Sequence, residues 1–441
     1  MRIASLILLL TLYSMAHAQN PAFPLKRLSN KRYLADQQNK PFLINAATGW
    51  KIYTKLTLEE VGEYFQWRKK QGFNTILTQV CMHEDDINRY QQRPFSDNND
   101  FSKPNDAYFN HIVAVNKMAD TMGLLIVMSQ PWQGCCLEGW GMTAEKPLQR
   151  NGEKKCYGLG KYFGRKFHSL NNLMWIMGGD QDPLGDRACI EAMAKGIFET
   201  APHQYITYHA KPTHSSTDLY QYAPWLGISM IYTYWRDKPN AWVSSYPQMI
   251  EVYEMALREY MKTDIIPFFL GEAQYEGFEG NDIGTAYIAR RQAYWTVLCG
   301  GMGAAYGDDT WYFPPDWREK QKRYPGGNQL KHFYNFFASL EWWKLVPDYK
   351  HEVLVKGYGE MTKTNYVTAA ISSDSSFFVA YIPFQQSVTV DLTKIKSSMV
   401  SANWYDPRTG TYSLIGNYTK PDLFYFTPPT NDDWVLYLSG K

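Results

Sequence analysis

The stretch Leu173-Met174-Trp175-Ile176-Met177-Gly178-Gly179-Asp180 sets five apolar residues ahead of two glycines and an acid. A short, continuous apolar run of this kind suits a strand buried on both faces. The two glycines allow a sharp turn at its end. Runs of the same type recur on either side: Phe42–Ala46, Thr75–Val80, Leu124–Ser129, Tyr205–His209, Ile228–Thr233, Ile265–Leu270 and Gly301–Tyr306. Amphipathic or loop stretches separate them. Strands alternating with helical patterns imply parallel βαβ units, and eight of them predict an α/β fold, the (β/α)₈ TIM barrel.

The intervening helices carry their own signals. Thr57-Leu58-Glu59-Glu60 is a capping box, with Gly72 as the stop after about Lys70. Asn105 opens a second helix with Tyr108, Ile112, Val115 and Met118 at helical spacing, ended by Gly123. Tyr287–Leu298 reads as a third, and the stretch Gln329–Leu345 as a helical connector. Near Tyr349 the composition shifts to short alternating runs: Tyr366–Ile371, Phe377–Ile382, Val388–Leu392, Ala402–Tyr405, Leu423–Phe426 and Trp434–Leu438. These predict a small antiparallel β-sandwich. The expected domains are a signal peptide over 1–18, a barrel over 19–348 and the sandwich over 349–441.

The leader assignment rests on a positive start, an apolar run over Ala4–Leu12, and Ala16-His17-Ala18 as a cleavage site after Ala18. It implies a secreted or periplasmic protein. No other segment is long and apolar enough to span a membrane, which takes about 20 residues. The formal net charge is +2 without a long basic run, so nothing marks a nucleic-acid partner. Six cysteines are present. Export permits disulfides, and Cys135 or Cys136 with Cys156 would close one short loop. Cys81, Cys189 and Cys299 read as core residues. No zinc spacing, calcium loop or H-E-x-x-H pattern occurs, and no metal or cofactor is expected.

In a TIM barrel, the chemistry comes from the C-terminal strand ends. The fourth run ends at Asp180, and the seventh in Leu270-Gly271-Glu272-Ala273. Two carboxylates in one mouth match the requirement of glycosidic bond hydrolysis. Asp180 is assigned as acid/base and Glu272 as nucleophile. A lone acid at a strand end more often caps a helix or pairs with arginine; it is the pairing that carries the reading. Aromatic residues make up 16% of the chain, and their flat apolar faces with polar edges suit sugars. Several fall at strand ends, giving Trp50, Trp132, His209, Tyr234 and Tyr275 as expected substrate contacts, with Gln274 beside the last. Tyr208 and Trp235 stand next to two of them. His83 in the acidic loop after the second run, and Asp308 and Trp311 after the eighth, complete the expected set. The loop Gln133–Gly160 with Trp140 reads as a lid or subsite wall.

Five segments extend this picture: Arg32-Tyr33-Leu34-Ala35-Asp36 with Lys40-Pro41-Phe42, Gly72-Phe73-Asn74-Thr75-Ile76, Trp175 through Asp180, Gly271-Glu272-Ala273-Gln274-Tyr275-Glu276-Gly277 and Ala289-Arg290-Arg291-Gln292-Ala293-Tyr294-Trp295. Together they resemble the apiosidase-like glycoside hydrolases, TIM-barrel enzymes grouped as family 140. Trp404-Tyr405-Asp406-Pro407-Arg408-Thr409-Gly410 resembles the small β-domain found behind them, a module with a collagen-binding label. The resemblance implies cleavage of apiosyl linkages in the pectic polysaccharide rhamnogalacturonan II, with Asp180 and Glu272 in the roles given above. One departure stands at the first strand end, where Asp-Thr-Ala-Trp is replaced by Ala47-Thr48-Gly49-Trp50. The expected partner is an oligo- or polysaccharide. The competing readings are a non-catalytic carbohydrate-binding barrel and a protein defined by an adhesive C-terminal module.

Overall fold

The computed structural model describes residues 20–134, 139–234, 249–278, 284–419 and 422–441. The expected signal peptide, Cys135, Cys136 and Trp235 lie outside the described residues. Eight parallel strands form the barrel: β1 (Ile44–Thr48), β2 (Thr75–Gln79), β3 (Leu125–Ser129), β4 (Leu173–Gly178), β5 (Ile206–His209), β6 (Ser229–Tyr232), β7 (Phe268–Glu272) and β8 (Gly303–Tyr306). Each falls on one of the eight apolar runs, and nearly every residue in them is buried. Ladders join neighbours all the way round except between β5 and β6. There the Ser216 hydroxyl takes the ladder's place. It accepts from Met230 N at 2.8 Å and Tyr208 N at 3.3 Å, and donates to the Tyr208 carbonyl at 2.7 Å.

The helices follow their sequence signals. In α1 (Leu58–Lys70) the Thr57 hydroxyl accepts from Glu60 N while Glu60 accepts from Thr57 N, a complete capping box. In α2 (Asp106–Thr121) the Asn105 side chain accepts from Ala107 N. Part of the expected loop 133–160 is instead helix, α3 (Pro147–Phe167). Trp140 is fully buried against Phe95 and Phe101 rather than lining a cleft. Helix α3 runs beside α4 (Arg187–Thr200) with almost no gap. A Cβ on Gly160 would stand 2.1 Å from the Met193 carbonyl oxygen, and one on Gly164 would stand 1.9 Å from Thr200 Oγ1. Among the described residues, no helix is long and apolar enough to cross a membrane.

The C-terminal module begins at β9 (Leu345–Pro347), slightly ahead of the composition shift. It continues through β10 (Leu354–Lys356), β11 (Thr368–Ser372), β12 (Phe377–Ile382), β13 (Val388–Asp391), β14 (Val400–Asp406), β15 (Thr411–Tyr418), β16 (Leu423–Phe426) and β17 (Trp434–Gly440). These form antiparallel sheets in the orders β9-β11-β12-β17-β14-β15 and β10-β13-β16. Between them lies an apolar core of its own, with Phe378, Ile382, Val390, Val400 and Leu436. The outer face of the larger sheet joins the barrel core through Tyr381, Tyr405 and Val435.

After α5 (Val252–Tyr260), helix α6 (Ala286–Leu298) is the element between the two bodies, buried from Ile288 to Leu298. Its Tyr294 ring stacks on Tyr381 of β12 at 4.9 Å and 7°. Beside it, Arg290 is 4% exposed and must find a counter-charge. It finds Asp433: Nε donates to Oδ2 at 2.8 Å and Nη2 to Oδ1 at 2.5 Å, while the Tyr381 hydroxyl donates to the same carboxylate at 2.9 Å.

Two predictions come from this packing. Asp433→Ala strands a buried guanidinium at the domain junction and should cost about 3–5 kcal/mol, read as a lower melting temperature; an unchanged melting curve would remove the junction's importance. In α3, a Cβ added at Gly158 would meet nothing within 4 Å, whereas one at Gly160 would meet backbone. Gly158→Ala should therefore stabilise by about 0.5–1 kcal/mol, and Gly160→Ala should destabilise by about 1–3 kcal/mol, both measured by denaturant titration.

Candidate active site

Three barrel strands deliver the central groups. At the end of β4 the chain makes three successive left-handed residues, Gly178 (φ 78°), Gly179 (φ 141°) and Asp180 (φ 48°). Side chains are barred at the first two: a Cβ would come within 2.5 Å of the Tyr208 ring at Gly178 and 2.6 Å of the Trp132 indole at Gly179. Asp180 itself holds a conformation that costs an ordinary residue of order 1 kcal/mol and that aspartate tolerates best. The turn is braced from both sides. Gln130 Nε2 donates to the Gly178 carbonyl at 2.9 Å, and the Tyr208 hydroxyl donates to the Gln181 carbonyl at 2.8 Å.

At β7 the ladder with β6 slips by one residue, Ile231 facing Leu270 and Tyr232 facing Glu272. Gly271 is the extra residue of this bulge, a device that re-aims the side chain after it. Glu272 is thereby turned toward the imidazole of His209, the last residue of β5. His209 Nε2 lies 2.7 Å from Glu272 Oε2 and 3.8 Å from Asp180 Oδ1. The three residues each offer an atom within 4.8 Å of the others.

Their electrostatics follow from burial. Loss of water pushes the Asp180 carboxyl up, and the neighbouring Glu272 charge pushes it further, to about 7; His209 and the Tyr232 hydroxyl pull the other way. Asp180 Oδ1 has no hydrogen-bond partner. Burial alone would make His209 less basic, but the hydrogen bond to Glu272 and the charges of both carboxylates outweigh it and raise its pKa. At 2.7 Å its Nε2 is the donor and Glu272 the acceptor. The other nitrogen, Nδ1, faces the Ala210 carbonyl at 3.0 Å and the Asp180 N–H at 3.3 Å. A charged ring donates to the first; a neutral one accepts from the second. A divalent cation between the three residues would have to displace the proton that Nε2 donates to Glu272.

Aromatic rings wall this cluster. Trp50 and Trp132 lie 5.2 Å apart, and their rings stand 6.2 and 5.2 Å from the His209 ring. Trp50 Nε1 donates to the Tyr275 hydroxyl at 2.6 Å. Tyr232 packs edge-on to His209 at 4.8 Å, and its hydroxyl donates to Tyr234 at 2.7 Å. Gln274 is buried with its Oε1 unpartnered. Trp50, Trp132, His209, Tyr234 and Tyr275 are thus brought together with Asp180 and Glu272.

The remaining expected contacts are held as follows. Asp308 is 1% exposed and bound to Arg68 of α1 at 2.7 Å and to Thr310 N at 3.0 Å, so its carboxylate is committed to the fold. Trp311 follows β8, edge-on to Tyr312 and 6.0 Å from Lys51 Nζ. His83 is half-buried in a loop fastened by Asp86, which accepts from Met82 N and His83 N. Two residues escaped the sequence reading. Tyr232 ends an apolar run and looked like core. Glu276, pushed up to about 7 by burial, accepts from the Tyr306 hydroxyl at 2.6 Å and from Gly326 N at 3.0 Å, tying two mouth loops together.

Comparisons with known proteins agree with this architecture. Residues 28–344 match the family model "Apiosidase-like, catalytic domain", and residues 346–439 match "Putative collagen-binding domain of a collagenase". No curated protein sequence matches the chain. Among solved structures, one described as "Glycoside hydrolase" is similar at TM-score 0.81 and 22% identity, covering 95% of this chain and 97% of that one. A glycoside hydrolase family 5 protein from Bacteroides vulgatus ATCC 8482 is similar at TM-score 0.81 and 22% identity, covering 94% and 93%. These two likenesses concern the fold. The match over residues 28–344 spans most of the chain, and by it the protein belongs to the apiosidase-like catalytic-domain family and is a glycoside hydrolase.

Proposed function

We propose that the enzyme is exported and cleaves a plant cell-wall pectic glycan at an apiosyl linkage of rhamnogalacturonan II, with Asp180 as acid/base and Glu272 as nucleophile. The family match supports the sugar. The leader-like sequence over 1–18 supports the compartment. One observation carries the roles: the two carboxyl groups face each other across His209, each offering an atom within 4.8 Å of the other. That is near the ~5 Å of retaining enzymes and short of the ~6.5 Å that leaves room for an attacking water.

The chemistry then divides by environment. Asp180, poised near neutrality with a free oxygen, gives its proton to the glycosidic oxygen as that bond breaks. Glu272 attacks the anomeric carbon, forming a glycosyl ester. Water then attacks the same carbon, Asp180 takes up its proton, and the ester bond breaks to return Glu272. The His209 N–H holds Glu272 in line, and its positive charge offsets the second carboxylate each time Asp180 ionises. Trp50 and Trp132 offer apolar faces for the C–H surface of the ring. The sandwich braces the barrel through α6; no adhesive role is assigned to it.

Pectic oligosaccharides, with released sugars read by mass, are the substrates that test the reading. Asp180→Asn and Glu272→Gln should each lower kcat by about 10³-fold or more. If the parent releases apiose and both variants keep parental rates, the site is wrong. A parent that releases nothing from these substrates removes the pectic reading and leaves the carbohydrate-binding one.

The pH profile has a defined sign. The first step needs protonated Asp180, so kcat/KM falls as pH rises through about 7, and Asp180→Asn loses that limb. Because Nε2 is already protonated toward Glu272, a chelator should leave the rate unchanged; a rate lost to chelator and restored by a divalent ion would overturn the two-carboxylate route.

A further inference from the structure

Outside the active site, α3 packs very closely on α4. Three glycines fix its register. Gly160 lies against Met193, and Gly164 against Ile197 and Thr200. From the opposite helix, a Cβ on Gly196 would stand 2.5 Å from the Tyr157 carbonyl oxygen and 2.7 Å from Lys161 N. Numbers rise together on both helices, so the helices run parallel, and each level advances four residues on both. One turn before the Gly160–Met193 level stand Cys156 on α3 and Cys189 on α4. Residues four apart share a helix face, so each cysteine points along the face that carries this contact. Both side chains are buried, at 0% and 6% exposure. Where backbones approach this closely, facing Cβ atoms come within the reach of an S–S bridge.

Both cysteines are free thiols in the structure; we propose that Cys156 and Cys189 form a disulfide linking α3 to α4. The two thiols also act on one another directly, and the Cys189 thiol is made the more acidic of the pair by its hydrogen bond to Cys156. The reaction is an exchange with a disulfide-bearing oxidant, such as an exported dithiol oxidase or oxidised glutathione, during folding. The Cys189 thiolate attacks a sulfur of the oxidant and displaces one thiolate. The Cys156 thiolate then attacks Cys189 Sγ in the mixed disulfide and expels the second. The protein loses two protons and two electrons, and the oxidant leaves as two thiols.

The bridge sits where the barrel has most need of it. Helix α3 carries Gly152, Gly158, Gly160 and Gly164, and Gly152 breaks the helical backbone at φ 70°. It follows the strand whose end leads to Trp132. Helix α4 follows the loop that opens at Asp180. Joining the two ties together the segments that place one wall and the acid. It also excludes the shorter-range partner of Cys156, since a sulfur makes one such bond.

The proposal is separable from export. The full chain is kept reduced in one sample and refolded through reduced and oxidised glutathione in another. Both are denatured, alkylated and mapped by mass spectrometry. In the oxidised sample, the peptides holding residues 156 and 189 should be linked and two thiols protected. The melting temperature should exceed that of the reduced chain by about 5 °C or more, a gain lost in Cys189→Ala. Full alkylation of both cysteines in the oxidised sample, or Cys156 linked to Cys135 or Cys136, overturns the pairing. The same map on full-length chain recovered from expressing cells reads the compartment: linkage in the refolded sample alone upholds the pairing and removes the export reading.

Discussion

Two carboxyl groups and an imidazole, nearly stripped of water and within 4.8 Å of one another, are the constraint around which this barrel is arranged. Left to themselves, two buried carboxylates at this distance would repel. The cluster holds because one carboxyl keeps a proton near neutrality while the other accepts a hydrogen bond from His209. Neither condition survives if the groups move apart or if water enters. A rigid frame is therefore part of the chemistry. The left-handed turn at Gly178-Gly179-Asp180, the bulge at Gly271 and the paired indoles of Trp50 and Trp132 all serve to keep a strained arrangement from relaxing.

That rigidity is drawn from both domains. Helix α6 is apolar-packed on nearly every side, with the barrel core on one flank and the larger sheet of the sandwich on the other. Charged groups in such a place demand partners. Arg290 meets Asp433 from the far end of the chain, and Arg68 meets Asp308 across the barrel's outer layer. Both pairs join parts of the sequence that have nothing in common locally. They behave as keys: apolar surfaces would slide, but a buried ion pair, bidentate in Arg290–Asp433, fixes one position.

The frame was legible in the sequence because buried parallel strands are written as unbroken apolar runs, and all eight runs became strands. Capping at Thr57 and Asn105 is local chemistry and was equally readable. Strands β9 and β10 are only three residues each, and the edge strand β15 is mostly exposed, so none had an apolar signature. The carboxylates were found because they stand at strand ends, which topology places in one mouth. What topology could not give was partnership. Asp308 stands at a strand end too, yet its fate was decided by Arg68, some 240 positions earlier. His209 was found as a contact, but its place between the two acids exists only once three strands close. The helical register that brings Cys156 to Cys189 was hidden for the same reason, because glycines reveal a close approach only after the neighbour is known.

The hydroxyl of Ser216 gives this barrel a seam. Elsewhere the ring is held by repeated backbone bonds, so the loss of any one is shared among its neighbours. Between β5 and β6, one side chain answers backbone groups on both strands, and the strand ends it joins carry His209 and Tyr232. At the mouth end of that seam, one oxygen atom thus does much of what a ladder does elsewhere. The spacing of the imidazole from the tyrosine beside it is inherited from a residue that never meets the substrate.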